Sequence, residues 1–259
     1  ALFQEQLNTK RQDGSTLLEY AINKGRLDFV QAITSEKTFS FDENSRSTSL
    51  LPLAIKQLVI KRNEMAQVDP NEASKSYEMW LACFNQFIEE TNHIDDVHLR
   101  YNLFNKALWA GVRHVEPEAL KSLLNNVKIQ KEAGVMTLDG MQPTYDVQAL
   151  INRYDDNEKC SLLHLVSKKI GANGLKERDI NRSIQVLLKF GANPNQFFLS
   201  RVGYDIRDNH NALTVYLAAR QGMVLDQGTV SAFLSAGSMV SDLSWARLFG
   251  EEPSGLYFY

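Results

Sequence analysis

Cys160-Ser161-Leu162-Leu163-His164 and, twenty residues on, Ile184-Gln185-Val186-Leu187-Leu188-Lys189-Phe190-Gly191-Ala192-Asn193-Pro194-Asn195 are the phrases that decide how this chain is read. Ile184, Leu187 and Leu188 have the 3, 4 spacing of one helical face, so that face is predicted to be buried. Gly191 suits the left-handed residue that closes a helix, and Pro194 forbids continuation. The glycines and Asn in Gly171-Ala172-Asn173-Gly174 loop out between the two phrases.

Working outward, Asp13-Gly14-Ser15-Thr16-Leu17-Leu18-Glu19-Tyr20-Ala21-Ile22-Asn23-Lys24-Gly25 has the same grammar, continued by Val30 and Ile33. Thr16 is expected to cap a helix, small Ala21 to let neighbouring helices approach, and Gly25 to permit a turn between paired helices. Ser49-Leu50-Leu51-Pro52-Leu53-Ala54 repeats the opening 33 residues after Thr16. Together these phrases resemble the ankyrin repeat, a unit of about 33 residues with a Pro-Leu-His start, a V-x-x-L-L core and a G-A-x-x-N end. Leu162 stands where that family has Pro, and Glu19 where it has His.

After Ser49 the pattern stretches. Ala54 to about Ala66 reads as a lengthened first helix, Asp69-Pro70-Asn71-Glu72 as a turn and new N-terminus, and Tyr77 to Ile88 as a long second helix with Leu81, Phe84, Phe87 and Ile88 inward. Asn102 to Gly111 opens a third unit, where Ala107 and Gly111 keep the spacing of Ala21 and Gly25. Its second helix starts at Glu116-Pro117-Glu118 and buries Leu120, Leu123 and Leu124. Val127 to about Asn157 reads as an ordered excursion, helical around Tyr145 to Tyr154. A fifth unit carries Val215-Tyr216-Leu217-Ala218-Ala219-Arg220-Gln221-Gly222, then Val230, Phe233, Leu234 and Gly237. The openings at Asn102, Ser161 and Leu213 follow at intervals of 53, 59 and 52 residues, so each gap holds one repeat and an insertion. The resemblance implies an all-α ankyrin-repeat solenoid of about five helix pairs with long inter-helix and inter-repeat insertions. Its units are placed at 11–43, 46–95, 98–127, 157–196 and 208–242, with 243–259, including Trp245 to Phe249, as a C-terminal cap or the start of a following segment.

Composition is that of an ordinary globular chain: 259 residues, 44% hydrophobic, net charge −3. The densest basic stretches, Lys168-Lys169 and Lys176 to Arg182, are interrupted by acids or apolar residues, so no nucleic-acid partner is expected. Two cysteines, Cys83 and Cys160, are too few for a disulfide framework and point to a reducing, cytoplasmic compartment. No apolar run approaches a membrane span and no signal pattern opens the chain, so membrane insertion is not expected. Ala1 in place of Met reads as the start of a piece trimmed from a longer protein, or as removal of the initiator Met.

Cys160 and His164 lie four apart and could form a nucleophile with its base or half a metal site. The structural reading is preferred: His164 holds the Leu-His position that ties the repeat's hairpin together, and no second Cys/His pair has zinc spacing. Cys83, among Trp80 and Phe87, reads as a core thiol. His93-Ile94-Asp95-Asp96-Val97-His98 gathers four potential ligands, but a loop between units explains it as well, and calcium loops need more carboxylates and a bend Gly. No nucleotide-binding glycine motif or G-x-S-x-G is present, so neither cofactor nor metal is expected and the chain is read as a non-enzyme.

The resemblance implies a protein-interaction scaffold that binds a partner protein on the concave face of fingers and first helices. The long connection Phe197-Phe198-Leu199-Ser200-Arg201-Val202-Gly203-Tyr204-Asp205-Ile206-Arg207 alternates about Gly203 as an extended hairpin finger would. Arg201, Tyr204 and Arg207 are expected to touch the partner, with Phe197, Phe198 and Tyr216 beside them, while Phe197 and Phe198 fit equally well as cover for inner helices. Irregular repeats with long inserts also look like the ankyrin effectors that intracellular bacteria deliver into the host cytoplasm. The rival reading is a substrate-presenting segment of a larger enzyme whose catalytic domain lies outside this chain.

Overall fold

Thr16 starts the first helix through a reciprocal bond: its hydroxyl accepts from the Glu19 amide at 3.2 Å, and the Glu19 carboxylate accepts from the Thr16 amide at 2.7 Å. This capping box satisfies two amides that the helix itself leaves without partners. Glu19, which stands where the resembling pattern has His, therefore supplies a local bond of its own. The computed structural model describes residues 10–12, 14–35, 50–65, 70–127, 147–155, 158–172, 174–196, 211–220 and 224–240. They fold as helices, with one isolated bridge between Asp155 and Cys160 and no strand among them. The chain divides into two compact units, 1–147 and 148–259.

In the first unit, α1 (Leu17–Asn23) and α2 (Leu27–Thr34) are joined by a two-bond turn. The Gly25 amide donates to Ile22 and the Arg26 amide to Ala21, while Gly25 takes φ +66°. Then come α3 (Leu50–Glu64), α4 (Pro70–Asn92), α5 (Val97–His114) and α6 (Pro117–Asn126). The α5/α6 turn copies the α1/α2 turn bond for bond: Val115 donates to Val112 and Glu116 to Gly111. There a buried Val115, φ 53°, does what Gly25 does in the first pair. A β-branched residue in that region carries a backbone cost on the order of 1–3 kcal/mol, held in place here by the surrounding packing.

The packing forms two layers. First helices lie side by side, α1 on α3 and α3 on α5, and α4 packs on α6 behind them. Within each pair, α1 meets α2, α3 meets α4 and α5 meets α6. The seam between layers is filled by Leu18, Ile22, Ile55, Phe84, Phe104 and Leu120, none of them accessible to water. Side-chain amides stitch successive pairs: Gln57 donates to the Asn23 carbonyl at 3.2 Å, and Asn92 to the Asn126 carbonyl at 2.8 Å. Helix α4 is longer than the sequence suggested, and its inner stripe differs: Trp80 and Cys83 join Phe84, Phe87 and Ile88, while Leu81 is only half-buried. The long helix turns its stripe so that the larger indole fills the interior.

The second unit contains the short α7 (Val147–Ile151), then α8 (Leu162–Ser167), α9 (Glu177–Lys189), α10 (Ala212–Ala219) and α11 (Gln227–Ser235). Helix α7 occupies only the middle of the Tyr145–Tyr154 stretch. Asn211 and Asp226 cap α10 and α11 by accepting from the amides of Thr214 and Thr229. Helix α8 packs on α9 and α10, and α9 on α11. Ile184, Leu187 and Leu188 are buried as their spacing predicts, but Leu234 is half-exposed and Phe233 alone of that pair enters the core.

Helices α9 and α11 end identically. Gly191 and Gly237, at φ +90° and +78°, donate to Leu188 and Leu234, and the following amides donate to Leu187 and Phe233. Each turn is gripped by an Asn from the preceding stretch. Asn152 donates to the Gly191 carbonyl at 3.1 Å and accepts from the Asn193 amide at 2.6 Å. Asn195 does the same to Gly237 and Met239, at 2.8 and 2.7 Å. Among the described residues, no helix is long and apolar enough to cross a membrane.

Candidate functional site

Five of the six residues expected to touch a partner, Phe197, Phe198, Arg201, Tyr204 and Arg207, lie outside the described residues, as does the Trp245–Phe249 cap. The sixth, Tyr216, is fully buried on α10. Its ring stands 5.6 Å from that of Phe233, and its hydroxyl donates to Asn181 at 3.3 Å. Burial raises its pKa to about 12, against the opposing pull of the Arg220 charge.

Around Tyr216 lies a polar network that the sequence did not disclose. Arg220, at the end of α10, is 2% exposed and stacks over the Tyr216 ring at 5.1 Å. Its guanidinium donates to the Val224 carbonyl, to the Glu177 carboxylate at the start of α9, and to Asn181 at 3.3 Å. A buried guanidinium needs such an assembly because desolvation of an uncompensated charge costs several kcal/mol, on the order of what a small domain has in reserve. Gln185 extends the network to Thr229 at 3.1 Å. Apart from Val224, the partners are about forty residues apart in sequence, so no local motif marks them.

The first unit has its own buried charge. Glu116, inaccessible just ahead of α6, pairs with Arg62 of α3 at 2.9 Å and accepts from the Tyr77 hydroxyl of α4 at 2.8 Å. Arg62 also donates to the Val115 carbonyl at 2.8 Å. One carboxylate thereby ties together three helices and the left-handed turn. Its partner Tyr77 is held protonated by burial and by the Glu116 charge.

The residues with nucleophilic or ligating chemistry are placed as follows. His164 Nδ1 is 2.8 Å from the Ser161 hydroxyl, and both residues are buried at the start of α8. Cys160 is inaccessible, and burial raises its pKa despite nearby Lys168; Cys83 is pushed up to about 12 by burial. Both thiols are therefore protonated at neutral pH, the opposite of what a nucleophile needs. In the His93–His98 stretch, Asp96 caps α5 by accepting from Leu99 at 3.0 Å, Ile94 is buried, and His93 points to Glu89 at 3.6 Å. Among the described residues, no group of three His, Cys, Asp or Glu is arranged to hold a metal ion.

An open groove of about 530 Å³ lies in the first unit between the start of α2, the end of α3 and the first half of α4. Met79 and Trp80 line it alongside Arg26, Lys61, Glu72 and Lys75. Arg26 is committed to a bidentate pair with Asp28, and Lys61 to Glu64 at 2.9 Å. Compared with protein-family models, with curated proteins and with solved structures, the chain finds no match in any of the three.

Proposed function

We propose that the chain is a protein-binding scaffold, each unit an ankyrin-type stack of helix pairs. The observation that carries this reading is the repeated clamp: Asn152 on Gly191 and Asn193, and Asn195 on Gly237 and Met239. A fold that reuses one inter-repeat bond pattern adds units along one direction and so builds extended surface. The layering of first helices against first helices supports the same reading. Partner contact is assigned to the finger that follows Asn195, through Arg201, Tyr204 and Arg207, because arginine and tyrosine concentrate binding energy.

The test is capture of partner proteins with the intact chain as bait, repeated with Arg201→Ala/Tyr204→Ala/Arg207→Ala. The variant is expected to lose a captured protein by more than tenfold in affinity while melting at the same temperature. Equal retention by both baits would remove the finger from the site, and failure of the intact chain to hold any protein would end the scaffold reading.

A further inference from the structure

Charge in the first unit is sorted by layer. The exposed acids on its described helices, Asp28, Glu72, Glu78, Glu89 and Glu90, all sit on the second helices α2 and α4. The first helices expose Lys24, which ends α1, Lys56 on α3 and Lys106 on α5, but no acid. The two acids that α1 and α3 do carry are half-buried and engaged: Glu19 accepts from the Thr16 amide at 2.7 Å, and Glu64 holds Lys61 at 2.9 Å. Helix α5 contains neither Asp nor Glu. Asp95 and Asp96 stand ahead of it, about 15 Å along the axis from Lys106, where Asp96 caps the Leu99 amide. Among the described residues, no ion pair engages Lys24, Lys56 or Lys106.

The lysines face away from the core and have apolar company. At about 3.6 residues per turn, Lys56 and Ile60 lie opposite the buried Leu58 on α3, and Lys106 lies opposite the buried Phe104 and Leu108 on α5. Leu17, Tyr20 and Lys24 share the side of α1 away from the buried Ile22. Leu17, Tyr20 and Ile60 are each more than a third exposed. Tyr20 has the Arg11 guanidinium over its ring at 4.0 Å and the Lys24 ammonium at 5.5 Å. Because α1, α3 and α5 lie side by side, at the usual helix spacing of roughly 8–10 Å, these residues form one strip about 20 Å across.

We propose that the outer face of the α1, α3 and α5 layer docks an acidic segment of a partner protein, one with apolar side chains between its carboxylates. Such a segment pairs with the lysines and covers Leu17, Tyr20 and Ile60 at once. A nucleic acid gains its affinity from about six to ten phosphate contacts, roughly twice the number of cations in this strip, and its backbone leaves Leu17 and Ile60 uncovered. The complementarity acts first on encounter rate and orientation, and it weakens with salt. The acids on α2 and α4 repel the same segment, so they direct it to the opposite layer. This rests on the scaffold reading and adds to it a surface in the first unit and the chemistry of what binds there.

The experiment is fluorescence anisotropy of the intact chain with a fluorescein-labelled Glu/Leu peptide. A Lys/Leu peptide, a single-stranded oligodeoxynucleotide and phosphatidylserine vesicles serve as the competing probes. The Glu/Leu peptide is expected to bind best, and Lys56→Glu/Lys106→Glu to weaken it at least tenfold with unchanged circular dichroism. Lys75→Glu/Lys121→Glu, the same charge change on exposed positions of the second helices α4 and α6, should leave it within twofold. Equal losses in the two variants would reduce the effect to net charge and overturn the proposal. Tighter binding of the Lys/Leu peptide, the oligonucleotide or the vesicles would overturn it too, as would no binding of the acidic peptide. A partner captured in the earlier experiment and retained by Lys56→Glu/Lys106→Glu would sink this face alone and leave the scaffold reading standing.

Discussion

Asn195 holds Gly237 by its carbonyl while its own amide oxygen receives the Met239 N–H, so one side chain fixes a left-handed turn more than forty residues downstream. The same grip by Asn152 on Gly191 makes this the unit's recurring fastener. Asn195→Ala should cost about 1–2 kcal/mol, the net worth of two partly exposed hydrogen bonds. Asn195→Asp keeps the acceptor for Met239 and loses the donor to Gly237, so it should fall between. Urea denaturation measures both, and hydrogen exchange should speed up first in α11. An Asn195→Ala midpoint equal to wild type would show that the clamp is geometric company only.

The two gripped glycines separate backbone strain from steric conflict. Both need positive φ, which costs an alanine about 1–2 kcal/mol. A Cβ on Gly237 meets nothing within 4 Å, whereas one on Gly191 runs into the Gln148 amide, which donates to the Phe190 carbonyl at 2.9 Å. Gly191→Ala should therefore be the worse substitution, by roughly one further hydrogen bond, about 1 kcal/mol. Matched melting curves of the two variants decide it, and Gly191→Ala/Gln148→Ala should fall back towards the Gly237→Ala value.

The ties around Glu116 can be weighed against one another. Glu116→Gln leaves Arg62 near an uncharged amide and should cost about 3 kcal/mol, since breaking a buried pair strands one charge. Replacing both Arg62 and Glu116 with Leu should cost less than the two single changes added together. A double-mutant cycle by urea denaturation reads the coupling, and strict additivity would mean that the two side chains are merely neighbours.

What the sequence made legible was local. Thr16 capping α1, Gly25 and Gly191 in left-handed turns, and α6 starting at Pro117 all rest on neighbours within a few residues. Long-range compensation was not legible. Nothing near Arg220 in sequence marks it as buried, since Glu177 and Asn181 reach it from α9, and Tyr216, expected to touch a partner, packs against Phe233. Val115 could not be foreseen at a position where the first pair uses glycine, because tertiary packing pays the backbone cost.

Alkaline pH gives the last prediction. Tyr77 is raised by burial and the adjoining Glu116 charge, Cys83 is raised to about 12 by burial, and Tyr216 is raised to about 12 by burial. Each is a group whose neutral form the fold prefers, so each keeps its proton in the native state at a pH where the unfolded chain has released it. With fewer protons bound to the unfolded chain, stability must fall as pH rises. The stability is fully present below the ordinary thiol value of 9.0 and is lost progressively from there towards about 12, with the tyrosines joining above their ordinary 10.0. Urea midpoints measured at intervals between about pH 8 and pH 11 should decline steadily. Tyr77→Phe should lower the midpoint at pH 8, because Glu116 loses a donor, yet make the decline shallower. Cys83→Ala should flatten it again by removing one of the two buried thiols, Cys83 and Cys160, that burial raises. A midpoint that does not change up to pH 11, or a Tyr77→Phe slope equal to wild type, would mean that Tyr77 and Cys83 ionise as freely in the folded chain as in the unfolded one, and that the α4 face built on them is packed differently.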